Sequence, residues 1–370
     1  MIKSSFLIKE LKDKESFKSP FNKFSSYLAI FLPFIFLEAI WSTKNLLFKD
    51  ADWISDFTAT TIKLTTPLSI FASSLKILNL FLPVIIVILW EYCFSNNFSL
   101  KKIKNSEGYK NADYWYFCLE LLVRYVPFVT VIITFGFSPL GPRLSSWLID
   151  QANSIGGYYN LQIEANPKDF WLILLHIIIY DFYKFLFHFN SHRIAFLWDY
   201  HEFHHSATEM TILNDRRVNY YETVFNSIIL APIIALSSIL SNKYLEVSPF
   251  LPILSYGLYY SSSKYTAFIS HSSTKIIYPK LISYILMSPS LHWIHHSNNS
   301  KHYDCNFGIL FSFWDRLFGT YLGEEHLKDI ECFGVEKSEY NKHHPLYSYL
   351  ILPLVKTSRR IRKGTLFKFI

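Results

Sequence analysis

Cysteine is scarce in this chain: four in 370 residues, Cys93, Cys118, Cys305 and Cys332, at wide and irregular spacings. They match neither a disulfide framework nor a CxxC metal clip, which leaves cysteine without chemistry. Glycine is sparse too, at 11 residues, and no GxGxxG turn, flavin signature or CxxCH haem attachment occurs. Any electrons this protein uses must therefore come from a separate carrier. The net charge of +7 is modest, and no basic stripe is interleaved with aromatics, so nucleic-acid binding has little support. Internal repeats and low-complexity tracts are missing as well.

What the chain does have is apolar length. Hydrophobic residues make up 51% of it and aromatics 18%, more than a soluble domain usually carries. Roughly 20 apolar residues cross a bilayer core as a helix. The runs Ser25 to Trp41, Pro67 to Trp90 and Tyr114 to Phe137 qualify, and Phe170 to Phe187, Thr223 to Leu240 and Pro249 to Ile269 are weaker but similar. The first run follows a polar, Lys-rich segment without a small-residue cleavage pattern, so it is expected to stay in the mature chain.

Loop charge orients these spans, because short basic loops stay on the cytoplasmic side. The N-terminal segment, "KKIKNSEGYK" (Lys101 to Lys110) and "KTSRRIRKGTLFKF" near the C-terminal end are basic, whereas "KDADWISDF" and the loop from Arg143 to Asp169 are neutral to acidic. The N-terminus is thus expected inside, and four crossings return the chain to the cytoplasmic face near Phe187. A further hairpin of two spans delivers His271 to that same face.

The histidines gather there. "HFNSH" places His188 and His192 at i, i+4; "HEFHH" places His201, His204 and His205 at i, i+3, i+4; "HWIHH" repeats this with His292, His295 and His296. On a helix each set faces one side, the geometry for gripping a metal ion. With His271 the clusters offer nine nitrogens, more than one tetrahedral ion can use, and two ions are the economical reading. An all-imidazole set suits zinc, copper, nickel or iron about equally. The membrane setting favours a paired iron site that activates dioxygen. Hydrolytic zinc chemistry would want a carboxylate base, and Glu202, at i+1 within its motif, points off the ligand face. His176, inside an apolar run, is expected to be buried and bonded to a neighbouring carbonyl. His302 stands outside the set. A metal transporter would place ionisable residues along a mid-membrane path; the spans offer only Glu38, Lys76, Glu120 and Arg124, the last two able to pair with each other.

Two stretches carry a family resemblance: "HFNSHRIAFLWDYHEFHHSATEM" (His188 to Met210) and "SPSLHWIHHSNNSKHYDCNFGILFSFWDRLFGTY" (Ser288 to Tyr321). Their HxxxH, LWxxH, HxxHHS run and their PSxHxxHH, DxNFG, WDRLFGT run closely resemble the fatty acid hydroxylase (sterol desaturase) superfamily of membrane non-haem di-iron oxygenases. Order and flanks are most similar to the branch that contains alkylglycerol monooxygenase. The resemblance covers roughly Asp181 to Leu322 and departs from the common pattern in three places. Phe189 and not an arginine follows His188; Asn219 stands where many members have a histidine after Arg217; and His271 is followed by Ser272 and Ser273. Acyl-CoA desaturases separate the first two boxes by far more than the eight residues between His192 and His201.

The resemblance implies metal ligation by His188, His192, His201, His204, His205, His271, His292, His295 and His296. It implies two iron ions, O2 as co-substrate, and electrons ultimately from NAD(P)H through a cytochrome b5-like protein, ferredoxin or reductase. Asp181, Asp304 and Asn306 fall where the family often has polar residues that orient imidazole N–H groups, although turn chemistry explains Asp304 and Asn306 equally well, as interface packing does Trp314. Tyr180, Phe187, Tyr260 and Trp293 are candidates to line a lipid path or an interfacial aromatic belt. The expected architecture is all-α: a polytopic transmembrane helical bundle with a cytoplasmic histidine-rich helical cap. Its parts run from a cytoplasmic segment (1–24) through a membrane region of about three spans (25–168) and a di-iron catalytic domain (169–325) to a basic cytoplasmic tail (326–370). The expected activity is hydroxylation of a lipid or sterol-like C–H bond, with desaturation by the same site as one alternative and a non-catalytic metal-binding membrane protein or transporter as another. Low glycine with high Ile, Phe, Lys and Asn content suggests an AT-rich bacterial genome, hence an inner membrane, or the endoplasmic reticulum of a eukaryote.

Overall fold

A computed structural model of the chain describes residues 84–92, 99, 113, 115, 116, 118, 167–245 and 251–368. Most of the first three expected spans, with Glu38, Lys76, Glu120, Arg124 and Cys93, lie outside the described residues, as does the segment 1–24. Among the described residues the protein is helical, without a named strand; isolated bridges join Leu286 to Phe311 and Ser297 to Phe333.

Helix α1 (Pro167–Arg193) contains the apolar run that follows the expected boundary near Lys168. Proline in its first turn costs nothing, because that N–H has no intrahelical partner, and no glycine or further proline interrupts it before Arg193. Among the described residues, Phe170–Arg193 is the one helix long and apolar enough to cross a membrane. Helices α3 (Tyr220–Leu245) and α4 (Leu251–Ser270) occupy the two later expected spans. They pack beside α1 around Tyr180, Tyr183, Leu230 and Tyr259. The Tyr180 hydroxyl donates to the Pro252 carbonyl at 3.0 Å and that of Tyr183 to the Asn226 carbonyl at 2.8 Å. Tyr180 is fully buried in this contact, so it holds helices together and does not line a lipid path.

Between α1 and α2 (Ala195–His205) stands one extended residue, Ile194, at φ −100°, ψ 119°. Its side chain cannot cap α2, whose first N–H groups need acceptors. The acceptors come from far downstream: Ala195 N–H donates to the Lys368 carbonyl at 2.9 Å and Phe196 N–H to the Leu366 carbonyl at 3.2 Å. Short helices complete the chain: α5 (Lys280–Ser283), α6 (Pro289–His295), α7 (Phe313–Phe318), α8 (Pro345–Leu350) and α9 (Leu352–Arg362). Ser288 caps α6 by accepting from Leu291 N–H, with Pro289 in the first turn.

The segment expected as a basic tail is folded against α2. Arg360 grips Asp199 with two bonds of 2.5 and 2.8 Å, Lys356 bonds Glu202, and Tyr340 donates to the Asp199 carbonyl. Its charges answer carboxylates that α2 buries on the side away from its histidines. Breaking a buried pair costs more than breaking an exposed one, because the surviving charge stays desolvated. Asp199 is fully buried and Arg360 is 24% exposed, whereas Arg359 and its partner Glu339 are 47% and 38% exposed. Arg360→Ala should therefore lower unfolding stability in detergent by about 2 kcal/mol, and Arg359→Ala by under about 1 kcal/mol; equal losses would contradict the clamp.

Candidate metal centre

Four elements deliver the nine histidines to one place. The last two turns of α1 carry His188 and His192, α2 carries His201, His204 and His205, His271 follows α4 directly, and α6 carries His292 and His295, with His296 just after it. Ile194 breaks the helix between the first two sets, and the change of direction lets both face one centre. All nine side chains are nearly buried, between 2% and 9% exposed.

The rings sort into two groups. In one, a nitrogen from each of His188, His192, His201, His205 and His295 lies within 4.8 Å of the others; in the second, the same holds for His204, His271, His292 and His296. The groups adjoin, with the His205 and His296 rings stacked at 4.3 Å. In the second group Nε2 atoms approach in a chain: His204 to His271 at 3.3 Å, His271 to His292 at 3.0 Å and His292 to His296 at 3.0 Å. In the first, His192 and His205 meet through Nε2 at 3.1 Å. His271, whose Nδ1 donates to Ala267, presents a lone pair at Nε2, and imidazole nitrogens this close either share a proton or hold a cation between them. Nitrogens about 2.0–2.1 Å from a shared tetrahedral centre would stand about 3.3 Å apart. The donor set therefore fits a metal ion in each group.

The outward nitrogens support this orientation. Nδ1 of His188 donates to the Phe307 carbonyl at 2.8 Å, that of His295 to the Cys305 carbonyl at 2.7 Å and that of His271 to the Ala267 carbonyl at 2.7 Å. His201 Nδ1 bonds the Glu222 carboxylate at 2.8 Å. Fixing one nitrogen as N–H makes the other a lone-pair donor and locks the ring plane. Nε2 of His201 and of His295 are buried and meet no hydrogen-bond partner among the described residues, as a ligand nitrogen would.

Sequence reasoning missed Glu222. Its signal was an acidic residue in the first turn of the helix after the second box, and only the folded chain brings it to His201. Among the described residues Asp181, Asp304 and Asn306 bond no imidazole; for Asp304 and Asn306, at φ 58° and 56°, turn chemistry is what the structure shows. Asp181 accepts from Leu310 N–H, Phe311 N–H and Trp314 Nε1. Asn306 ties Leu291 to Leu322, and Asp304 lies 3.7 Å from Arg193. They shape the loop whose carbonyls orient the rings. Asp315 completes that loop, accepting from Phe307 and Gly308 N–H at 2.7 and 2.8 Å. Gly308 is required by close approach, since a Cβ there would lie 2.3 Å from the Phe311 carbonyl oxygen.

Other residues fall as their types suggest. Glu202 faces away from the rings, toward Ser338 and Lys356. His176 donates to the Leu172 carbonyl at 2.6 Å, apart from the centre. Asn219 caps α3 through Tyr221 N–H and holds the Tyr349 carbonyl, while Arg217 binds the Phe203 carbonyl, Ser206, Asp113 and Asn341. Buried Glu91 accepts from Ser99 and from Ser273 N–H, pinning the turn after His271.

Burial first, then neighbouring imidazoles, hold His204, His205, His292 and His296 well below the usual histidine range. His295 is pushed down to about 3, again by burial. Burial lowers His271 despite the opposing pull of Asp215 and Asp113. These groups are neutral at pH 7, the form a metal needs.

The fold and the site thus define a helical region built around a cluster of nine imidazoles, with the Glu222 carboxylate at its outer edge. Residues 173–320 match the fatty acid hydroxylase family. Alkylglycerol monooxygenase of Xenopus tropicalis is 22% identical over 272 residues, 69% of this chain and 55% of that protein. The alkylglycerol monooxygenase of Caenorhabditis elegans is 26% identical over 199 residues, 52% of this chain and 36% of its own. Ornithine lipid hydroxylase OlsE of Rhizobium tropici is 27% identical over 149 residues, 40% and 41% of the two chains. The chain spans about half, or less, of the length of these relatives. No solved structure matches it.

Two outcomes follow. Glu222→Ala should weaken metal retention about 10- to 100-fold, measured by chelator competition, while the exposed Glu336→Ala leaves it unchanged. In the metal-free protein the unfolded chain binds protons that the buried rings refuse, so stability should fall as pH drops from 6.5 toward about 3. A melting temperature flat across that window would contradict neutral burial.

Proposed function

We propose that this protein is an integral-membrane, O2-dependent oxidoreductase that hydroxylates a lipid C–H bond at a di-iron centre. His188, His192, His201, His205 and His295 would hold one iron, and His204, His271, His292 and His296 the other. The sorting of nine buried imidazoles into two ligand groups, inside a segment that matches the fatty acid hydroxylase family, carries this reading. The names of the relatives, a monooxygenase and a hydroxylase of lipids, support the reaction type. When bound, the irons supply activation of dioxygen toward an inert C–H bond.

The chain's own residues position and exclude. Carbonyls of Phe307, Cys305 and Ala267, with the Glu222 carboxylate, fix ring orientation before any metal enters, so no reorganisation accompanies turnover. Phe307 packs on His188, His192 and His295 at ring separations of 5.6, 5.1 and 5.6 Å. Trp198 covers His192 and His205 at 5.0 and 5.7 Å. These faces keep bulk water from the centre and restrict side reactions. The overall stoichiometry takes one oxygen atom into the product and one into water, consuming two electrons and two protons. The electrons come from a separate donor, and a basic cytoplasmic face suits an acidic one.

Membrane embedding is supported by two exposed apolar bands, Phe170, Trp171, Leu175 and Ile179 on α1 and Ile228, Ile229, Leu236 and Leu240 on α3. In this reading the bundle is polytopic, residues 25–168 anchor it, 169–325 carry catalysis, and the centre faces the cytoplasm.

Purified protein expressed with ample iron should carry about two irons per chain, and His204→Ala or His295→Ala should remove them together. Stoichiometric zinc without iron would count against the proposal. A strain lacking the protein should accumulate a lipid lighter by one oxygen; a product differing by two hydrogens would point to desaturation.

A further inference from the structure

Outside the nine-histidine cluster one more set of ligand-type side chains converges. His302, His326 and Asp329 each offer an atom within 4.8 Å of the other two. His302 ends a 3-10 turn, Ser300–His302, and the other two lie in a second, Glu324–Asp329. The His302 and His326 rings stand 6.0 Å apart, and His326 Nδ1 lies 3.2 Å from the Asp329 carboxylate.

The second observation is His302 itself. It is 1% exposed, and among the described residues neither of its ring nitrogens meets a hydrogen-bond partner. A buried imidazole left in that state is destabilising, a penalty that a cation on its lone pair relieves. Every other buried histidine has a ring nitrogen bonded to the backbone, to a carboxylate or to a neighbouring side chain, or belongs to the nine-ring cluster.

The frame around the three side chains is rigid. Asn299 joins the two turns: its side-chain oxygen accepts from Lys301 N–H and its amide donates to the Asp329 carbonyl, both at 3.0 Å. Leu327 is buried in the same apolar cluster as Leu291, Ile294 and Cys305, which seats the second turn on α6. Cys305 Sγ donates to the His302 carbonyl at 2.9 Å. His326 and Asp329 remain 38% exposed, so an ion can enter from solvent.

The geometry points to a third, separate metal site, in which His302, His326 and Asp329 bind a divalent cation, zinc by ligand type, two imidazoles and one carboxylate. Its place in the fold gives it a structural role. It links the turn that leads into Cys305, whose carbonyl orients His295, to the turn packed under α6. The proposal does not depend on iron in the histidine cluster.

The test compares full-length protein with His326→Ala and Asp329→Asn, each purified in detergent with a histidine-free tag, equilibrated with zinc sulfate and desalted. Both substituted side chains are partly exposed, so the fold should survive, as circular dichroism and size exclusion will check. Wild type should retain about one more zinc per chain than either variant, with the same iron content in all three, and zinc should raise the melting temperature of wild type alone. Equal zinc in the three proteins, or zinc and iron lost together, would overturn the third site. Absence of iron from all three would overturn only the di-iron reading.

Discussion

Nine imidazoles packed into one dry space, with the Glu222 carboxylate touching only the outer edge of the set, form the constraint on which this structure depends. At His204, His205, His292 and His296 a proton would meet both a desolvation penalty and repulsion from neighbouring rings. Their lone pairs nevertheless converge to 3.0–3.3 Å. Such an arrangement persists only if the scaffold holds each ring from behind, and the fold around it is largely a set of devices for doing so. A backbone carbonyl serves three of the rings and a carboxylate serves a fourth.

Those carbonyls have to be held in turn. The loop that presents Cys305 and Phe307 runs through left-handed residues, Asp304 at φ 58° and Asn306 at φ 56°. Asp315 accepts from its Phe307 and Gly308 N–H groups, and Asn306 ties it to Leu291 and Leu322. Asp181 reaches across from α1 to hold the next stretch. Helix α2 shows the same economy on its two faces. His201, His204 and His205 point inward, while Asp199 and Glu202, three residues apart, point outward to Arg360 and Lys356. A helix whose apolar stripe would be unremarkable thus carries polar groups in opposite directions, and each direction has its own buried partners.

How much of this could be read in advance depends on whether the information is local. The HxxHH spacing states which side chains share a helix face, and the structure brings all nine rings together. The position of His176 within an apolar run was enough to separate it from them, and the i+1 offset of Glu202 to turn it away. Partnerships across long separations left no local trace. Nothing around Glu222 says that it meets His201, and nothing around Glu91 says that it accepts from Ser273. Carbonyl oxygens are the extreme case, because every residue has one and the side chain at Cys305 or Phe307 does not announce its use. Polar residues near a histidine box therefore suggested direct support of the rings, when their work lies one step further out, on the loop. The basic C-terminal segment is a related case: its charge is legible in the sequence, but not that it meets the buried carboxylates of α2.

The capping of α2 has a consequence for how the protein is made. The second histidine box sits on a helix whose first turn borrows the Lys368 and Leu366 carbonyls, and synthesis proceeds from the other end. When α2 leaves the ribosome those acceptors do not yet exist, nor do Arg360 and Lys356. Until that segment is made, the helix carries N–H groups without a protein acceptor and two unpaired carboxylates, with its histidines free to bind whatever metal they meet. The order of synthesis thus sets a window of vulnerability, closed only when the distal segment docks.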